Sequence, residues 1–196
     1  RRHSNPLINH LLIDSRNVNY PDDSVFFAIR GNMHNGNDYI DELYKKGVRC
    51  FVITETLKDS SLYQDANFVL VPDAVEALQK LVAHHRKQFA VPVIGVTGSN
   101  GKTTVKEMVG AILSKFASTL ISEGNLNNHI GVPLTILSMT PETEIGIVEM
   151  GANHLKEIEL LCNIALPDYG YITNFGKAHL EGFGSVKGVI QGKTEL

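Results

Sequence analysis

Residues 93–104, V-I-G-V-T-G-S-N-G-K-T-T, join an apolar strand pattern to glycines, a lysine and paired threonines. In a strand–loop–helix of this composition, backbone N–H groups surround phosphate oxygens, a lysine supplies positive charge, and a hydroxyl can bind the Mg²⁺ of a nucleotide. The segment therefore predicts a nucleoside triphosphate site. The residues predicted to contact the nucleotide are Gly98, Ser99, Asn100, Gly101, Lys102, Thr103 and Thr104.

The segment departs from two general nucleotide-binding patterns. The phosphate-loop pattern G-x-x-x-x-G-K-[ST] requires a small residue at position 96, where the chain has Val96, and the dinucleotide pattern G-x-G-x-x-G requires a glycine where Thr97 stands. The residues after Lys102 favour the phosphate loop, because they have the periodicity of an amphipathic helix. A glycine-rich turn before a core helix is the alternative. The predicted apolar stripe of this helix consists of Val105, Met108, Val109, Ile112 and Phe116.

Glu149 follows the apolar residues I-G-I-V at the end of a predicted strand. In phosphate-loop enzymes a carboxylate in this position binds Mg²⁺ directly or through water. Because Lys102 and Thr103 belong to the same predicted fold, we favour a metal-binding role for Glu149. A solvated glutamate at a strand end is the alternative.

His179 and Lys193 are weaker candidates on residue type alone. A single histidine is more often structural or exposed than a metal ligand, and Mg²⁺ prefers oxygen ligands. Lys193 taken alone is interpreted as a solvated charge.

The region that carries these residues alternates between strand and helix patterns. Strands are predicted at residues 93–96, 144–148 and 169–173, helices at 102–115 and 154–165, and a loop at 123–131. This alternation is typical of a parallel sheet covered by helices, in which ligands bind at the carboxyl ends of the strands. The phosphate loop, Glu149 and the segment T-N-F-G-K-A-H that ends at His179 all fall at such ends.

The first ninety residues predict a smaller α/β unit. Its strands are expected at 25–29 and 49–54, and a helix at 37–46 ends at a glycine. A second helix begins near residue 73, with Glu76 in the capping-box position. Its predicted inward residues are Val75, Leu78, Val82, His85 and Phe89. Because Pro92 ends this helix, we place a domain boundary near residue 91, and the fold class is α/β.

Composition excludes several classes of protein. The chain has 196 residues, 43% of them apolar, and a net charge of −3. The absence of a basic run argues against nucleic-acid binding, and the absence of a long apolar run argues against membrane insertion. Cys50 and Cys162 lie in apolar runs without metal-ligand spacing, which predicts buried thiols in a reducing, cytoplasmic environment.

Five segments, taken in order, resemble those of a known family. They are V-T-G-S-N-G-K-T-T, E-G-N-L-N-N-H-I-G-V-P-L-T, E-M-G-A-N-H, I-T-N-F-G-K-A-H-L-E-G-F-G-S and G-K-T-E-L. Together they resemble the Mur ligase family of peptidoglycan synthesis, above all its branch that joins D-Ala-D-Ala to UDP-MurNAc-tripeptide. The segments D-S-R, F-F-A-I-R-G and G-N-D-Y-I-D-E-L-Y-K-K-G-V-R resemble the uridine-nucleotide-binding domain of the family, so the resemblance covers nearly the whole chain.

The resemblance implies a role for each matching residue of the second region. Lys102, Thr103 and the loop glycines hold the phosphates of ATP and the first Mg²⁺, to which Glu149 is also a ligand. His179 is a ligand of the second Mg²⁺. Lys193 matches a lysine that CO₂ converts to a carbamate, which supplies oxygen where an ammonium would repel the metal. Lys102, His179 and Lys193 are the catalytic residues by this resemblance.

The resemblance also implies which residues contact the substrate. At one position the sequence differs from the family pattern. Ser15 and Arg16 match the segment that grips the UDP-sugar, and Asn127 and Asn128 match a loop near the muramoyl-peptide. Gly192 stands before the carbamylated lysine, where the family usually has an alanine.

The implied reaction is ATP-driven amide formation by a cytoplasmic monomer. The tripeptide carboxylate attacks the γ-phosphate, and the amine of D-Ala-D-Ala then displaces phosphate from the acyl phosphate. Residues 1–91 correspond to the UDP-MurNAc-peptide-binding domain and residues 92–196 to the first part of the central ATP-binding domain. Because the family has three domains, the chain is expected to be a fragment that forms no product alone.

Three alternatives stay open at this point. The chain could belong to a MurE-type ligase that adds a diamino acid, or to a folylpolyglutamate-synthase-type ligase. It could also be a non-catalytic module fused to another enzyme, such as alanine racemase.

Overall fold

A computed structural model of the chain describes residues 6–31, 33–176 and 179–196. The chain divides into two compact units, the first ending at Leu78 and the second beginning at Gln79. Among the described residues, no helix combines the length and the apolar character needed to cross a bilayer.

The first unit is built on a parallel sheet. Its strands are β1 (His10–Leu12), β2 (Ser24–Phe27), β3 (Cys50–Ile53) and β4 (Asn67–Leu70), paired in that order in the described part of the chain. Phe26 lies opposite Phe51, which lies opposite Phe68. The Phe51 and Phe68 rings stack with centroids 5.1 Å apart, and Phe26 and Phe51 are almost fully buried. Aromatic side chains on neighbouring strands thus form the core of this unit.

The helices of the first unit largely follow the predicted pattern. The helix predicted at 37–46 consists of a 3₁₀ turn, Gly36–Tyr39, followed by α1 (Ile40–Lys45). It ends before Gly47, whose φ of +105° favours glycine.

Helix α2 (Ala74–Arg86) contains the division between the two units. Asp73 caps it by accepting a hydrogen bond from the Glu76 N–H at 2.8 Å, and Leu78 and Val82 are buried as predicted. The domain boundary expected near residue 91 stays a prediction.

The second unit contains the predicted parallel sheet. Its strands are β5 (Val93–Thr97), β6 (Thr119–Ile121), β7 (Ile145–Glu149) and β8 (Tyr169–Ile172), in the spatial order β6-β7-β5-β8 among the described residues. All three strand pairs are parallel. The α/β fold class is therefore confirmed.

The helices of the second unit are α3 (Lys102–Leu113), α4 (Gly131–Leu137), α5 (Glu157–Ala165), α6 (Leu180–Phe183) and α7 (Val186–Lys193). Helix α5 begins three residues later than predicted. Lys156 has a left-handed φ of 72°, and the Asn153 and His154 N–H groups donate to the Glu157 carboxylate. These contacts hold residues 153–156 in a capping turn instead of a helix.

The predicted apolar stripe of α3 was wrong. Met108, Ile112 and Phe116 are 61%, 58% and 82% exposed. The side of α3 turned to the sheet carries Lys106 and Gly110, both buried. A Cβ at Gly110 would meet the end of the Ile121 side chain of β6, so the helix lies close to the sheet at this glycine. The apolar periodicity located the helix but not the face that the sheet covers.

Candidate functional site

The predicted site residues of the second unit lie at the carboxyl ends of three neighbouring strands. Strand β5 lies between β7 and β8, with Val96 opposite Glu149 and Thr97 opposite Ile172. The phosphate loop after β5, Glu149 at the end of β7 and the T-N-F-G segment after β8 therefore share one edge of the sheet. This is where parallel sheets bind ligands, as the sequence predicted.

The phosphate loop needs glycine at two positions. Gly98 has a φ of +139° and Gly101 a φ of +76°, a region that L side chains rarely adopt. A Cβ at Gly98 would overlap the Thr173 hydroxyl, whereas nothing lies within 4 Å of the Cβ position at Gly101. Gly101 caps α3, so the loop ends at the N-terminus of a helix, where backbone N–H groups favour an anion.

Lys102, Thr103 and Thr104 form the first turn of α3. The Lys102 Nζ donates to the Gly98 carbonyl at 2.9 Å, folding its side chain back over the loop. Thr103 and Thr104 are exposed. The lysine and both threonines therefore belong to the helical turn that directly follows the glycines of the loop.

The segment after β8 holds the phosphate loop from the side. Asn100 is bonded twice to Asn174: its N–H donates to Asn174 Oδ1 at 3.2 Å, and its carbonyl accepts from Asn174 Nδ2 at 3.0 Å. The same carbonyl accepts from the Thr173 hydroxyl at 2.6 Å. The Ser99 hydroxyl accepts from the Gly176 N–H at 2.9 Å. The next two motif residues, 177 and 178, lie outside the described part of the chain.

Glu149 is a buried carboxylate with one oxygen unsatisfied. Glu149 is 1% exposed, and its Oε1 accepts a hydrogen bond from Asn127 Nδ2 at 2.8 Å. Oε2 has no hydrogen-bond partner among the described residues. Burying an ionised oxygen without a partner costs free energy, so this atom favours a cation or a donor that comes with a ligand.

Asn127 and Asn128, the two predicted substrate-contacting asparagines, lie in residues 123–131 and make different contacts. Asn127 contacts Glu149 through its side chain, and its carbonyl accepts from the Gly151 N–H at 2.7 Å. The Asn128 Oδ1 accepts from the N–H groups of Ile130 and Gly131, at 3.0 and 2.9 Å, and so caps α4. Asn127 therefore belongs to the carboxylate site, whereas Asn128 is engaged in shaping the loop.

Lys193 is buried near the phosphate loop. It is 1% exposed, its Nζ donates to the Ala152 carbonyl at 3.2 Å and lies 5.4 Å from the centre of the Phe183 ring. Burial, and next the positive charge of Lys102, lower the pKa of Lys193 from 10.5 to about 8. The neutral form of this amine is therefore far more populated near neutral pH than in an ordinary lysine, and its burial contradicts the interpretation as a solvated charge.

The glycine that replaces the family's alanine has a structural reason. A Cβ at Gly192 would overlap the Phe183 ring, which is 6% exposed. The missing methyl group lets this ring pack directly against α7 beside Lys193.

His179 is exposed and occupies the N-cap position of α6 with a φ of 52°. Its carbonyl accepts from the Phe183 N–H at 3.0 Å. Within the described ranges, no group of three or more histidine, cysteine and acidic side chains is arranged to hold a metal ion. The structure thus does not bring His179 and Glu149 into such a group.

The first unit holds the other two predicted contact residues. Ser15 is buried, and its carbonyl accepts from Lys46 Nζ at 2.9 Å. Arg16 has an 85% exposed side chain and pairs with Asp14 through three side-chain hydrogen bonds. Nε donates to Oδ1 at 2.9 Å and to Oδ2 at 3.2 Å, and a terminal nitrogen donates to Oδ2 at 2.6 Å. The side-chain hydrogen bond from Arg16 lowers the pKa of Asp14 to about 2. The guanidinium is oriented yet accessible.

The first unit also contains a cavity of about 210 Å³ at the carboxyl ends of its strands. Sequence reasoning missed it, although the strand-end rule applied to this sheet would have pointed there. Its lining residues are Arg30, Thr54, Glu55, Pro72, Asp73, Ala74 and Val75.

Family models match both regions of the chain. The model described as Mur ligase middle domain matches residues 96–196, and the model described as Mur ligase family, catalytic domain, matches residues 7–86.

Individual relatives and solved structures agree with this match. UDP-N-acetylmuramoyl-tripeptide–D-alanyl-D-alanine ligase of Escherichia coli (strain K12) is 40% identical over 172 residues, which cover 88% of this chain and 37% of that protein. A crystal structure of MurF from Acinetobacter baumannii superposes with a TM-score of 0.89 at 36% identity, covering 96% of this chain and 40% of that one. MurF ligase from Thermotoga maritima, solved in complex with ADP, gives a TM-score of 0.85 at 34% identity, covering 98% and 43%.

The chain thus spans about two fifths of the length of these proteins. Because the middle-domain model alone matches residues 96–196 of a 196-residue chain, the chain belongs to the Mur ligase family.

Proposed function

We propose that the chain forms part of a MurF-type ligase, which joins D-Ala-D-Ala to UDP-MurNAc-tripeptide in the cytoplasm with consumption of ATP. The observation that carries the proposal is the unsatisfied buried oxygen of Glu149, one strand away from a phosphate loop. The printed names of the relatives give the substrates. We assign residues 1–91 to UDP-MurNAc-peptide binding and residues 92–196 to the first part of the ATP-binding domain, in a monomeric enzyme.

ATP is the nucleotide in this proposal. The backbone and side chains from Gly98 to Thr104 bind its phosphates, and Lys102 exchanges its hydrogen bond with the Gly98 carbonyl for phosphate oxygens. The positive charge of Lys102 offsets the repulsion between the triphosphate and the attacking carboxylate.

The residues of the site fit Mg²⁺. Glu149 offers a buried oxygen without a partner, and Thr103 offers a hydroxyl at the start of α3. We assign the first ion to Thr103 and Glu149, and the second to His179 and a carbamylated Lys193. When bound, Mg²⁺ supplies positive charge that stabilises the phosphoryl-transfer transition state.

Lys193 suits carbamylation because its pKa is lowered to about 8. The neutral amine attacks the carbon of CO₂, a nitrogen–carbon bond forms, and one proton is released to water. The product is an anionic carbamate. This change replaces a cation that would repel Mg²⁺ by two oxygen ligands.

The proposed reaction has two steps. An oxygen of the tripeptide's terminal carboxylate attacks the γ-phosphorus of ATP, ADP leaves, and an acyl phosphate forms. The amine of D-Ala-D-Ala then attacks the acyl carbon, phosphate leaves with the electron pair of the broken carbon–oxygen bond, and the amine loses a proton. Phosphorylation is needed because a free carboxylate is a poor electrophile near pH 7.

The UDP-sugar contacts are assigned to the first unit. Arg16, oriented by Asp14, carries an accessible positive charge suited to a diphosphate, and Ser15 precedes it. Asn127 and Asn128 are assigned to the muramoyl-peptide.

A substrate-panel assay on the intact protein tests this function. Each amine is supplied with its own acid substrate, ATP and Mg²⁺: D-Ala-D-Ala with UDP-MurNAc-tripeptide, a diamino acid with UDP-MurNAc-L-Ala-D-Glu, and glutamate with a folate. The products are identified by mass spectrometry. We expect an amide product and ADP with D-Ala-D-Ala alone. Product with the diamino acid or glutamate would transfer the assignment to a MurE-type or folylpolyglutamate-synthase-type ligase, and no product with any amine would favour a non-catalytic module.

A further inference from the structure

Lys106 is a fully buried lysine that the proposed reaction does not use. It lies on α3, one turn after Lys102, and is 0% exposed. Its Nζ donates to the Ser122 carbonyl at 2.6 Å and to the Gly124 carbonyl at 3.3 Å, and lies 2.9 Å from Glu107 Oε1. Three acceptors therefore match the three N–H donors of the ammonium group.

Ser122 and Gly124 begin the loop that leads from β6 to α4, here called the carboxylate loop (residues 122–128). Both polar contacts that the described residues make with Glu149 through side chains come from this loop. The Ser122 hydroxyl accepts from the Glu149 N–H at 3.0 Å, and Asn127 Nδ2 donates to Glu149 Oε1 at 2.8 Å. Lys106 thus binds the first residues of the carboxylate loop, and other residues of the same loop bind Glu149.

A role in packing alone does not explain a lysine here. The close contact between α3 and β6 is made by Gly110 against Ile121. An apolar side chain at position 106 would fill the same space without the cost of burying an ammonium group. What the lysine adds is a set of directed hydrogen bonds to two loop carbonyls, and these fix the path of the loop.

We propose that Lys106 is a positioning residue that links the phosphate-loop helix to the metal-binding carboxylate, by fixing the carboxylate loop that orients Glu149. The proposal rests on the proposed function, because it takes Glu149 as a metal ligand. It predicts that the loss of the Lys106 hydrogen bonds weakens metal binding even where the protein stays folded. Outer partners of metal ligands commonly contribute about 10–100-fold to metal affinity.

The test measures Mn²⁺ binding in the presence of ADP by electron paramagnetic resonance, with Mn²⁺ as the probe for the divalent cation. The intact protein is compared with Lys106→Met, which keeps the volume of the side chain and removes its donors. We expect an affinity about 10-fold lower for the variant. Hydrogen exchange of the amides of residues 122–128 is expected to become faster in the same variant, because the loop loses its attachment.

Arg86→Lys is the matched control for a loss of stability. Arg86 donates to the carbonyls of Phe89, Val91, Ala165 and Leu166, none of which lies in the carboxylate loop. The variant is therefore expected to lower the melting temperature and leave the Mn²⁺ affinity within twofold of the parent. If Lys106→Met does not fold, Lys106→Gln, which keeps one donor group, is compared in its place.

The outcomes separate this inference from the proposed function. If the parent protein binds Mn²⁺ with ADP and the Lys106 variant binds it equally well, the positioning role is wrong and the proposed function stands. The same conclusion follows if Arg86→Lys weakens Mn²⁺ binding as much as the Lys106 variant does. If the parent binds no Mn²⁺ with ADP, both proposals fail.

Discussion

Asn127 donates one hydrogen bond of 2.8 Å to Glu149, and this contact leaves the second oxygen of the buried carboxylate without a partner in the described residues. An amide facing one oxygen fixes the plane of the carboxylate. The other oxygen then points to a fixed place where a cation is favoured and where, in its absence, the burial of charge destabilises the fold.

Glu149→Gln is therefore expected to change stability and activity in opposite directions. In EDTA the variant is expected to have a higher unfolding free energy than the parent. The uncompensated buried charge is removed, an oxygen that accepts from Asn127 is kept, and the neutral amide nitrogen that replaces Oε2 costs less to bury than a charge. With substrates and Mg²⁺, phosphate release falls at least ~100-fold, which corresponds to about 2.7 kcal/mol of lost transition-state stabilisation. Denaturant unfolding and a phosphate-release assay measure the two effects. A variant less stable than the parent in EDTA would contradict the reading of Oε2 as unsatisfied.

Lys102→Ala is expected to abolish ATP-dependent phosphate release and leave the fold intact. The described contact of the Lys102 ammonium group is one part-buried hydrogen bond to the Gly98 carbonyl, and the loss of one such bond, about 1 kcal/mol, is too small to unfold a domain. Lys115→Ala, an exposed lysine beyond the end of α3, is the matched control for loss of one positive charge and should turn over normally. Phosphate release and circular dichroism check both variants; turnover retained in Lys102→Ala would remove the catalytic assignment.

The lowered pKa of Lys193 predicts how the free energy of unfolding depends on pH. The folded chain releases this proton at a pKa of about 8, whereas an ordinary lysine releases it near 10.5. Between these values the unfolded chain binds more protons, so the unfolding free energy rises with pH across this window. In CO₂-free buffer with EDTA, Lys193→Met lacks this contribution, so its stability advantage over the parent is greatest below pH 8 and shrinks towards pH 10.5. Parallel stability curves for parent and variant would show that burial does not perturb this amine.

Arg86 is expected to stabilise the second unit through several hydrogen bonds from one side chain. Its guanidinium group is 6% exposed and donates to the carbonyls of Ala165, Phe89, Val91 and Leu166, at 2.7 to 3.2 Å. Arg86→Met removes the donor of the buried Ala165 carbonyl and of three partly buried carbonyls, and should cost about 3 kcal/mol. Arg86→Lys keeps the charge but loses the planar fork, and should cost about 2 kcal/mol. Lys87→Met, at an exposed neighbour, is the control in denaturant unfolding, and equal losses for Lys87 and Arg86 variants would refute the argument.

The sequence located the phosphate loop and Glu149 because both depend on local pattern. Gly98, Gly101 and Lys102 mark a loop by residue type and spacing, and an apolar run before Glu149 marks a strand end. The parallel sheet then brings these ends together by topology alone. The roles of His179, Lys193 and Asn127 were reached only through the family resemblance, and the assignments stay predictions.

The features that the sequence did not reveal depend on tertiary contacts. The sequence predicts an exposed side chain for Lys106, because lysines are seldom fully buried. Its acceptors are backbone carbonyls, and no residue type in the sequence indicates them. Helix α4 begins at Gly131, inside a stretch that composition marks as loop, and its cap comes from Asn128. Most of the apolar stripe predicted for α3 is exposed. Apolar periodicity shows which residues share one face of a helix, but it does not show whether the sheet packs against that face.

The double contact between Asn100 and Asn174 has a consequence for how a nucleotide enters. A glycine-rich loop without lateral support would sample many conformations, and a ligand would have to select one of them at an entropic cost. Here the loop backbone is already held in shape by hydrogen bonds from the neighbouring strand end. The loop that would bind phosphate is therefore preorganised. Most of its backbone becomes ordered when the protein folds and not when the ligand binds.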